Sequence, residues 1–307
     1  MLRDCQPVTQ RRGIAYGTAN KSLISGNQAN SGAGAYLGAL NNCLIKNNVA
    51  TAAGGGAYQG TLNNCTLTGN SSNLGGGAYQ GALNNCISYY NIVGGGSNYF
   101  GGTLNYCCTS PAPANGAGNF TNAPLFINLT NNFQLQSHSL CINAGRNSYV
   151  VITNDLDGSP RIVGGTVDIG AYEYQTPASV ISYAWLQQYG LPMDGSADFV
   201  DSDNDRMDNR EEWMAGTIPT NAASVLQLAS PLNSVSGMTV TWQSVTNVTY
   251  YLQTSTNLPA FYSIQSNLVA KPARPAISTR PQPTAAPIST ASACNKLWRL
   301  HGCLDVT

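Results

Sequence analysis

Short apolar and polar runs alternate along the first third of the chain, and the alternation repeats in register. Leu40-Asn41-Asn42-Cys43, Leu62-Asn63-Asn64-Cys65, Leu83-Asn84-Asn85-Cys86 and Leu104-Asn105-Tyr106-Cys107 follow one another at spacings of 22, 21 and 21 residues. Ahead of each tetrad stands a small-residue stretch with an aromatic: Gly34-Ala35-Tyr36, Gly56-Ala57-Tyr58, Gly77-Ala78-Tyr79 and, more loosely, Gly96-Ser97-Asn98-Tyr99. Behind the cysteines comes an Asn at a fixed offset, at Asn48, Asn70 and Asn91. One period earlier, Ser22 takes the Cys place, with Tyr16 before it and Leu23, Ile24 and Asn27 after it, and Leu2-Arg3-Asp4-Cys5 has the look of a shortened copy. The chain is therefore expected to begin inside the array.

A unit of about 21 residues is too short for a helical hairpin repeat, and it has no 3.6-residue apolar period. It suits one coil of a right-handed parallel β-helix, in which each coil pairs with the next and equivalent side chains stack into ladders about 4.8 Å apart. Leu and Cys are expected inside. The Asn residues are expected to bond neighbouring turns and to accept left-handed corners, and the triple glycines 54 to 56, 75 to 77 and 94 to 96 read as tight corners. The cysteine ladder predicts a buried stack of thiols, because parallel Cβ directions oppose the torsion a disulfide requires; bridges between rungs are the alternative. Cys108 and Cys141 receive no role. The pattern leaves open whether the tyrosine ladder faces in or out.

Charged residues make up only 9% of the chain and the formal net charge is zero. Nucleic-acid binding is not expected, since neutralising phosphates takes clustered Lys and Arg. No apolar run reaches the length of a membrane span. From Gly13 to Cys108 there is no Asp or Glu, and only Lys21 and Lys46 carry charge. Polysaccharide lyases and hydrolases built on β-helices use carboxylates to bind calcium or move protons, so these coils predict no catalysis. His138 reads as a lone loop or core histidine, and His301 falls in the tail.

Beyond Pro111 come Ala123-Pro124-Leu125-Phe126, Phe133-Gln134-Leu135, Ser139-Leu140-Cys141-Ile142-Asn143-Ala144-Gly145, Asp155-Leu156-Asp157-Gly158-Ser159-Pro160-Arg161 and Val167-Asp168-Ile169-Gly170-Ala171-Tyr172-Glu173. Together with the coils, this succession resembles bacterial choice-of-anchor Q domain proteins over roughly residues 13 to 175, with Leu140 where that pattern has Pro. The resemblance implies export and cell-surface display, and hence a signal peptide upstream of Met1. Asp157, Arg161, Asp168 and Glu173 are expected to form a structural ion-pair and hydrogen-bond cap that stops end-to-end growth of the solenoid.

Ser182 to Tyr189 has helical spacing with Gly190 as its stop. Counting Asp201 as position 1, acids fall at positions 1, 3, 5 and 12 (Asp201, Asp203, Asp205, Glu212), and Met207 offers its carbonyl at 7. That is the ligand set of an EF-hand-type calcium loop. Arg206 stands sixth, where Gly usually permits the sharp turn, and is expected to weaken affinity. Residues 211 to 221 resemble the continuation of bacterial thrombospondin type 3 and dockerin-like loops; this implies a calcium-rigidified joint, with Asp194, Asp198 and Asp208 as further candidate ligands. Residues 224 to 269 alternate as strands and look like the first part of a fibronectin type III-like sandwich. The Pro-, Arg- and Ala-rich tail from Lys271 is expected to be disordered. Permissible codons for Lys271 to Lys296 accommodate a shifted frame with strand alternation, which points to a frameshift.

The expected organisation is thus a truncated start at 1–12, β-helix rungs at 13–110 and a closing region at 111–177. A helix–calcium loop–helix joint at 178–223, a partial sandwich at 224–270 and the tail at 271–307 follow. The expected function is surface display, adhesion or binding of a polysaccharide or cell-surface glycan by a secreted monomer with calcium as its cofactor. The alternative is a fragment of a lyase or hydrolase whose catalytic rungs are missing.

Overall fold

The computed structural model describes residues 12–94, 98–227, 232–234, 237–243, 245, 249–257, 260–269, 276–279 and 297–303. The chain divides into two compact units, 1–195 and 196–306. The boundary falls inside the segment 178–223 expected as one joint, so its first helix belongs to the first unit and its acidic loop to the second.

The first unit is a parallel β-helix of the right-handed type with four short strands per coil. Sheet 1 stacks Ile14–Ala15, Ala35–Tyr36, Ala57–Tyr58, Ala78–Tyr79 and Tyr99–Phe100; sheet 2 stacks Thr18–Asn20, Ala39–Asn41, Thr61–Asn63, Ala82–Asn84 and Thr103–Asn105. Sheet 3 stacks Leu23–Ser25, Leu44–Lys46, Thr66–Thr68, Ile87–Ser88 and Cys108–Thr109; sheet 4 stacks Gln28–Ser31, Val49–Ala53, Ser71–Ser72 and Ile92–Val93. All these pairings are parallel and in register: Leu62 lies between Leu40 and Leu83, and Leu83 pairs with Leu104. The one 22-residue period is absorbed in sheet 4. Gln28 pairs with Val49 but Ser31 pairs with Ala53, so the additional residue sits in a bulge between them.

Strands this short need a sharp turn after each, and single residues at positive φ supply it. Between sheets 1 and 2 these are Tyr16, Leu37, Gln59, Gln80 and Gly101; between sheets 2 and 3, Lys21, Asn42, Asn64, Asn85 and Tyr106. Gly26, Asn47, Gly69 and Tyr90 turn sheet 3 into sheet 4, and Gly32, Gly54 and Gly75 return the chain to sheet 1. The glycine triples therefore divide their labour. Gly54 and Gly75 form the left-handed corners, whereas Gly55 is Gly because a Cβ there would meet the carbonyl oxygens of Ser71 and Gly76 at 2.4 and 2.6 Å. Gly94 has no positive φ, and residues 95 to 97 lie outside the described residues.

Inside, Leu40, Leu62, Leu83 and Leu104 stack beside Cys43, Cys65, Cys86 and Cys107, all fully buried or nearly so. The cysteines are free thiols, and each donates to carbonyls of its own and the preceding coil, as Cys65 does to Asn63 and Leu40. Burial pushes the Cys65 and Cys107 thiols well above their ordinary pKa. A second interior ladder is polar. Asn48 Nδ2 donates to Asn70 Oδ1 at 2.9 Å and to the Ile24 carbonyl, and Asn70 repeats this with Asn91 and Ile45. Each Oδ1 also accepts the backbone N–H one coil before, as Asn70 does from Asn48. A third ladder, Asn20-Asn41-Asn63-Asn84-Asn105, joins side chains along sheet 2 with Nδ2 to Oδ1 distances of 2.9 to 3.0 Å.

The last coil is closed by 110–121, not by the acidic cluster. Asn119 Oδ1 accepts the Cys107 N–H at 2.9 Å, the place that the sulfur of Cys86 takes for Cys65, and Phe120 exchanges backbone bonds with Cys107 and Thr109. Residues 122–195 then correct the expected cap. They run back along the side of the solenoid: Arg146 bonds Asn85, the Tyr149 carbonyl accepts from Asn64, and the Asn154 carbonyl accepts from Asn42. A second core forms against the outer face of sheet 3, joining Leu44, Ile87 and Cys108 to Phe126, Phe133, Leu135, Leu140, Cys141, Ile142, Ile169 and Tyr183. Tyr183 opens helix α1 (Tyr183–Gln188), which stops at Gly190 as expected.

The buried charges hold this lateral wrap. Asp168 accepts the N–H groups of Asn143 and Tyr174, Glu173 those of Val163 and Asp168, and Asp155 those of Ser159 and Glu173. Arg161 donates to the carbonyls of Asp168 and Gly170 and to Asn64 Oδ1, not to a carboxylate, so the expected ion pairs are replaced by bonds to the backbone. Asp157 lies at the exposed edge, bonded to Gln134.

In the second unit, helix α2 (Asn209–Ala215) follows the acidic loop. Leu232–Ser234, Gly237–Thr241 and Ala276–Thr279 form one three-stranded antiparallel sheet; Ala260–Val269, Thr249–Asn257 and Leu297–Cys303 form another. Two of these strands come from the tail expected to be disordered; the remainder of that tail lies outside the described residues.

Two outcomes test this account. Asn70→Ala leaves the buried Asn48 N–H without its side-chain acceptor and removes the amide bond to the Ile45 carbonyl, and should lower unfolding free energy by roughly 1–3 kcal/mol, whereas Asn41→Ala on the part-exposed ladder should cost less than about 1 kcal/mol; urea denaturation of both variants measures the difference. Burial raises Asp168 to about 7 and Glu173 from 4.5 to about 9, outweighing the backbone donors and Arg161. A carboxyl raised in the fold holds its proton more tightly there, so the stability it confers is full below the unfolded value and is lost as pH rises through the folded one. Urea midpoints of the first unit should fall between about pH 4.5 and pH 9, with a shallower slope in Glu173→Gln.

Candidate functional site

Two features carry chemistry that the packing does not consume. The first is the outer face of sheet 1. Ala35, Ala57 and Ala78 point inward, so the residue after each points out, and Tyr36, Tyr58, Tyr79 and Phe100 form a continuous stack with centroids 5.1, 5.0 and 5.3 Å apart and planes within 7°. The ladder open to either side in the sequence thus faces outward. Tyr99, counted into it from sequence, occupies the inward Ala register and packs on the core, and Phe100 continues the row. Tyr16 caps the stack edge-on and Arg12 lies 4.6 Å from the Tyr36 ring centre. Because each ring covers its neighbour's face, the row offers solvent its edges and phenol hydroxyls. Beside it, exposed Gln59 donates to Gln80 at 3.0 Å. This amide pair was missed in the sequence; its signal was the repeated Ala-Tyr-Gln-Gly.

The second feature is the acidic loop. Asp201, Asp203 and Asp205 bring carboxylate oxygens within 4.8 Å of one another. Asp201 accepts the N–H groups of Asp205 and Arg206, and Asp205 accepts that of Met207, which winds the loop around its own acids. Asn204 and Arg206 stand at φ 64° and 81°. Arg206 therefore adopts the left-handed conformation that Gly usually takes at this place, at a cost a β-carbon imposes. Asp208 does not face the acids: it caps α2 in a reciprocal bond pair with Glu211, and Gly216 ends the helix. Asn209, fully buried, ties the helix start to the Ala197 carbonyl, and the neighbouring Asp198 is also buried. Asp194 belongs to the first unit.

Glu212, on α2, feels the charges of these acids. It is fully buried; Oε1 accepts from Thr217, while Oε2 has no partner, and both Asp203 oxygens and Asp205 Oδ2 are likewise buried without a donor. Burial first, and then Asp203 and Asp205, raise Glu212 to about 8, and burial raises Asp205 as well. Buried carboxylate oxygens without donors are rare. With the Met207 carbonyl at the seventh place, these are the residues that could hold a hard cation.

His138 is exposed in a loop and bonds only its neighbour Ser137, and His301 has no described side chain. Among the described residues, no helix is long and apolar enough to cross a membrane. Replacing Arg206 by Gly should relieve the left-handed strain and stabilise the loop by about 1–2 kcal/mol in metal-free buffer, read as slower hydrogen exchange over residues 201–208. No family model, no curated protein and no solved structure matches this chain.

Proposed function

We propose that the chain is a non-catalytic, secreted or cell-surface β-helix module that binds a neutral polysaccharide or cell-surface glycan along sheet 1, with a calcium-held loop in the second unit. The observation that carries it is the outward stack of Tyr36, Tyr58, Tyr79 and Phe100 beside the Gln59–Gln80 pair. A row of hydroxyls and amides repeating at the coil spacing offers a linear polymer the same donors and acceptors at every step. Coils with no acid and two lysines offer a charged polymer little. The resemblance to choice-of-anchor Q domains and the low charge support a place at the cell surface, and the antiparallel strands after residue 232 are read as part of a fibronectin type III-like module.

Calcium is supported by the donor set: Asp201, Asp203, Asp205, the Met207 carbonyl and Glu212 supply oxygens in EF-hand order, and several of those oxygens have no other partner. Binding would ionise Glu212, so affinity should rise with pH up to about 8.

Native electrophoresis through gels containing neutral cell-wall and algal polysaccharides, run with calcium and then stained for polysaccharide, tests the ligand face. The full chain should be retarded without clearing, and Tyr58→Ser/Tyr79→Ser, checked for folding by circular dichroism, should migrate freely. Cleared zones would instead identify a lyase or hydrolase fragment, and unchanged migration in every gel would remove the binding role. Calorimetry should register one calcium ion per chain, lost in Glu212→Gln and bound more tightly by Arg206→Gly; chelation should loosen residues 201–221 and leave the coils folded.

A further inference from the structure

The cysteines of the first unit fall into two populations that differ in geometry. Cys43, Cys65, Cys86 and Cys107 are related by translation from coil to coil, with each thiol committed to carbonyls of its own and the preceding coil. Parallel Cβ directions set against the near-perpendicular torsion of a disulfide keep such a ladder reduced. Cys108 and Cys141 are not so related. Cys108 is in the last strand of sheet 3, with its side chain on the outer face; Cys141 lies in the Ser139–Asn143 turn of the lateral wrap, held by its N–H to Ser139 Oγ and its carbonyl to the Ile169 N–H. Both are fully buried in the same second core, where the Cys141 side chain is the neighbouring group that acts most strongly on the Cys108 thiol. Cys108 has one carbonyl partner, Asn122 at 3.1 Å.

We propose that Cys108 and Cys141 are a disulfide site that locks the lateral wrap to the last coil of the solenoid. Cys108 and Cys141 come from two segments not related by the coil translation and share one core, so their side chains are free of the parallel constraint that opposes a bridge within the ladder, where neighbouring thiols also interact. The bond would close a loop of about 30 residues spanning the end cap and the strands of Phe126–Asn128 and Asn132–Leu135, a length at which cross-linking strongly restricts the unfolded chain. The oxidant is a small-molecule disulfide such as oxidised glutathione. One cysteine thiolate attacks it, forming a mixed disulfide and releasing one glutathione thiolate. The second cysteine thiolate then attacks the mixed disulfide at the protein sulfur and expels the second. The two protein thiol protons end on two glutathione molecules, so one glutathione disulfide is reduced for each protein disulfide formed. Burial raises the Cys108 thiol well above its ordinary pKa, which makes the reaction slow in the folded chain and faster during refolding.

The full-length chain, unfolded and refolded in a glutathione redox buffer and alkylated after acid quench, is digested and mapped by mass spectrometry. The expected product is a Cys108–Cys141 cross-linked peptide pair two hydrogens lighter than the separate peptides, with Cys43, Cys65, Cys86 and Cys107 alkylated. Oxidised protein should melt several degrees above the same protein reduced. That difference should vanish in Cys141→Ala and persist in Cys65→Ala, each compared with its own reduced form. Full alkylation of Cys108 and Cys141, pairing of either with another cysteine, or a melting difference that survives Cys141→Ala would overturn the assignment. None of these outcomes depends on what the outer face binds.

Discussion

Everything in the first unit depends on each coil pairing with the next in parallel register at the separation of β-strands. Once that spacing is imposed, each residue meets its own equivalent above and below, and only side chains that tolerate a copy of themselves can persist. Leu does so by apolar contact and Cys by donating to the carbonyls of two coils. Asn does so best, because its amide is donor and acceptor at once. Reversed relative to the sheet 2 ladder, the interior Asn ladder donates forward along the axis, from Asn48 to Asn70 to Asn91, while Asn63 and Asn84 on sheet 2 donate backward. A charged residue could not stack in this way without repelling its copy. The absence of Asp and Glu between Gly13 and Cys108 follows from the same constraint, which gives it a structural cause independent of function.

The constraint also explains what was legible in the sequence. The Leu, Cys and Asn positions could be placed inside because translation makes three or four copies report on one environment. The nearness of Asp201, Asp203 and Asp205 was legible because it is local to a single turn, with Glu212 following in the first turns of one helix, where these acids raise its pKa. The direction of the tyrosines was not legible, since a period of two along a strand of two residues cannot separate inside from outside. What settles it is Ala35, Ala57 and Ala78, small enough to sit against the Leu stack and so leaving the following ring outside. Tyr99 was misplaced for the same reason: where Ala gives way to Tyr at the last coil, the sequence motif shifts by one and the outer row passes to Phe100.

The lateral wrap was illegible for a different reason. Its motifs are distant in sequence from the surface they cover, and that surface consists of single outward residues, Leu44, Thr66, Ile87 and Cys108, one per coil. Thr66, the polar member, accepts the Ala171 N–H at its Oγ1. The wrap reads the coils through groups the repeat cannot satisfy by itself: at the sheet 2–3 corner, the side chains of Asn42, Asn64 and Asn85 reach out to Asn154, Tyr149 and Arg146. Its buried charges follow from this. Asp155, Asp168 and Glu173 receive backbone N–H groups, most of them from irregular chain, and Arg161 collects the carbonyls of Asp168 and Gly170. They stand where a sheet ladder would stand in a regular element.

Both candidate sites are exceptions to the rule of self-satisfaction that governs the coils. The outer aromatic row is satisfied ring to ring, and it lies on sheet 1, whereas the second core is built on sheet 3. In the acidic loop the backbone spends its N–H groups on Asp201 and one oxygen of Asp205, so the oxygens of Asp203 and the buried Oε2 of Glu212 have nothing left to accept. Packing alone would favour an amide or an apolar residue at Glu212, whose burial and acidic neighbours both oppose its charge. Glu212 therefore keeps a buried acid that the packing does not explain, beside Arg206, which is held at a positive φ that a β-carbon disfavours.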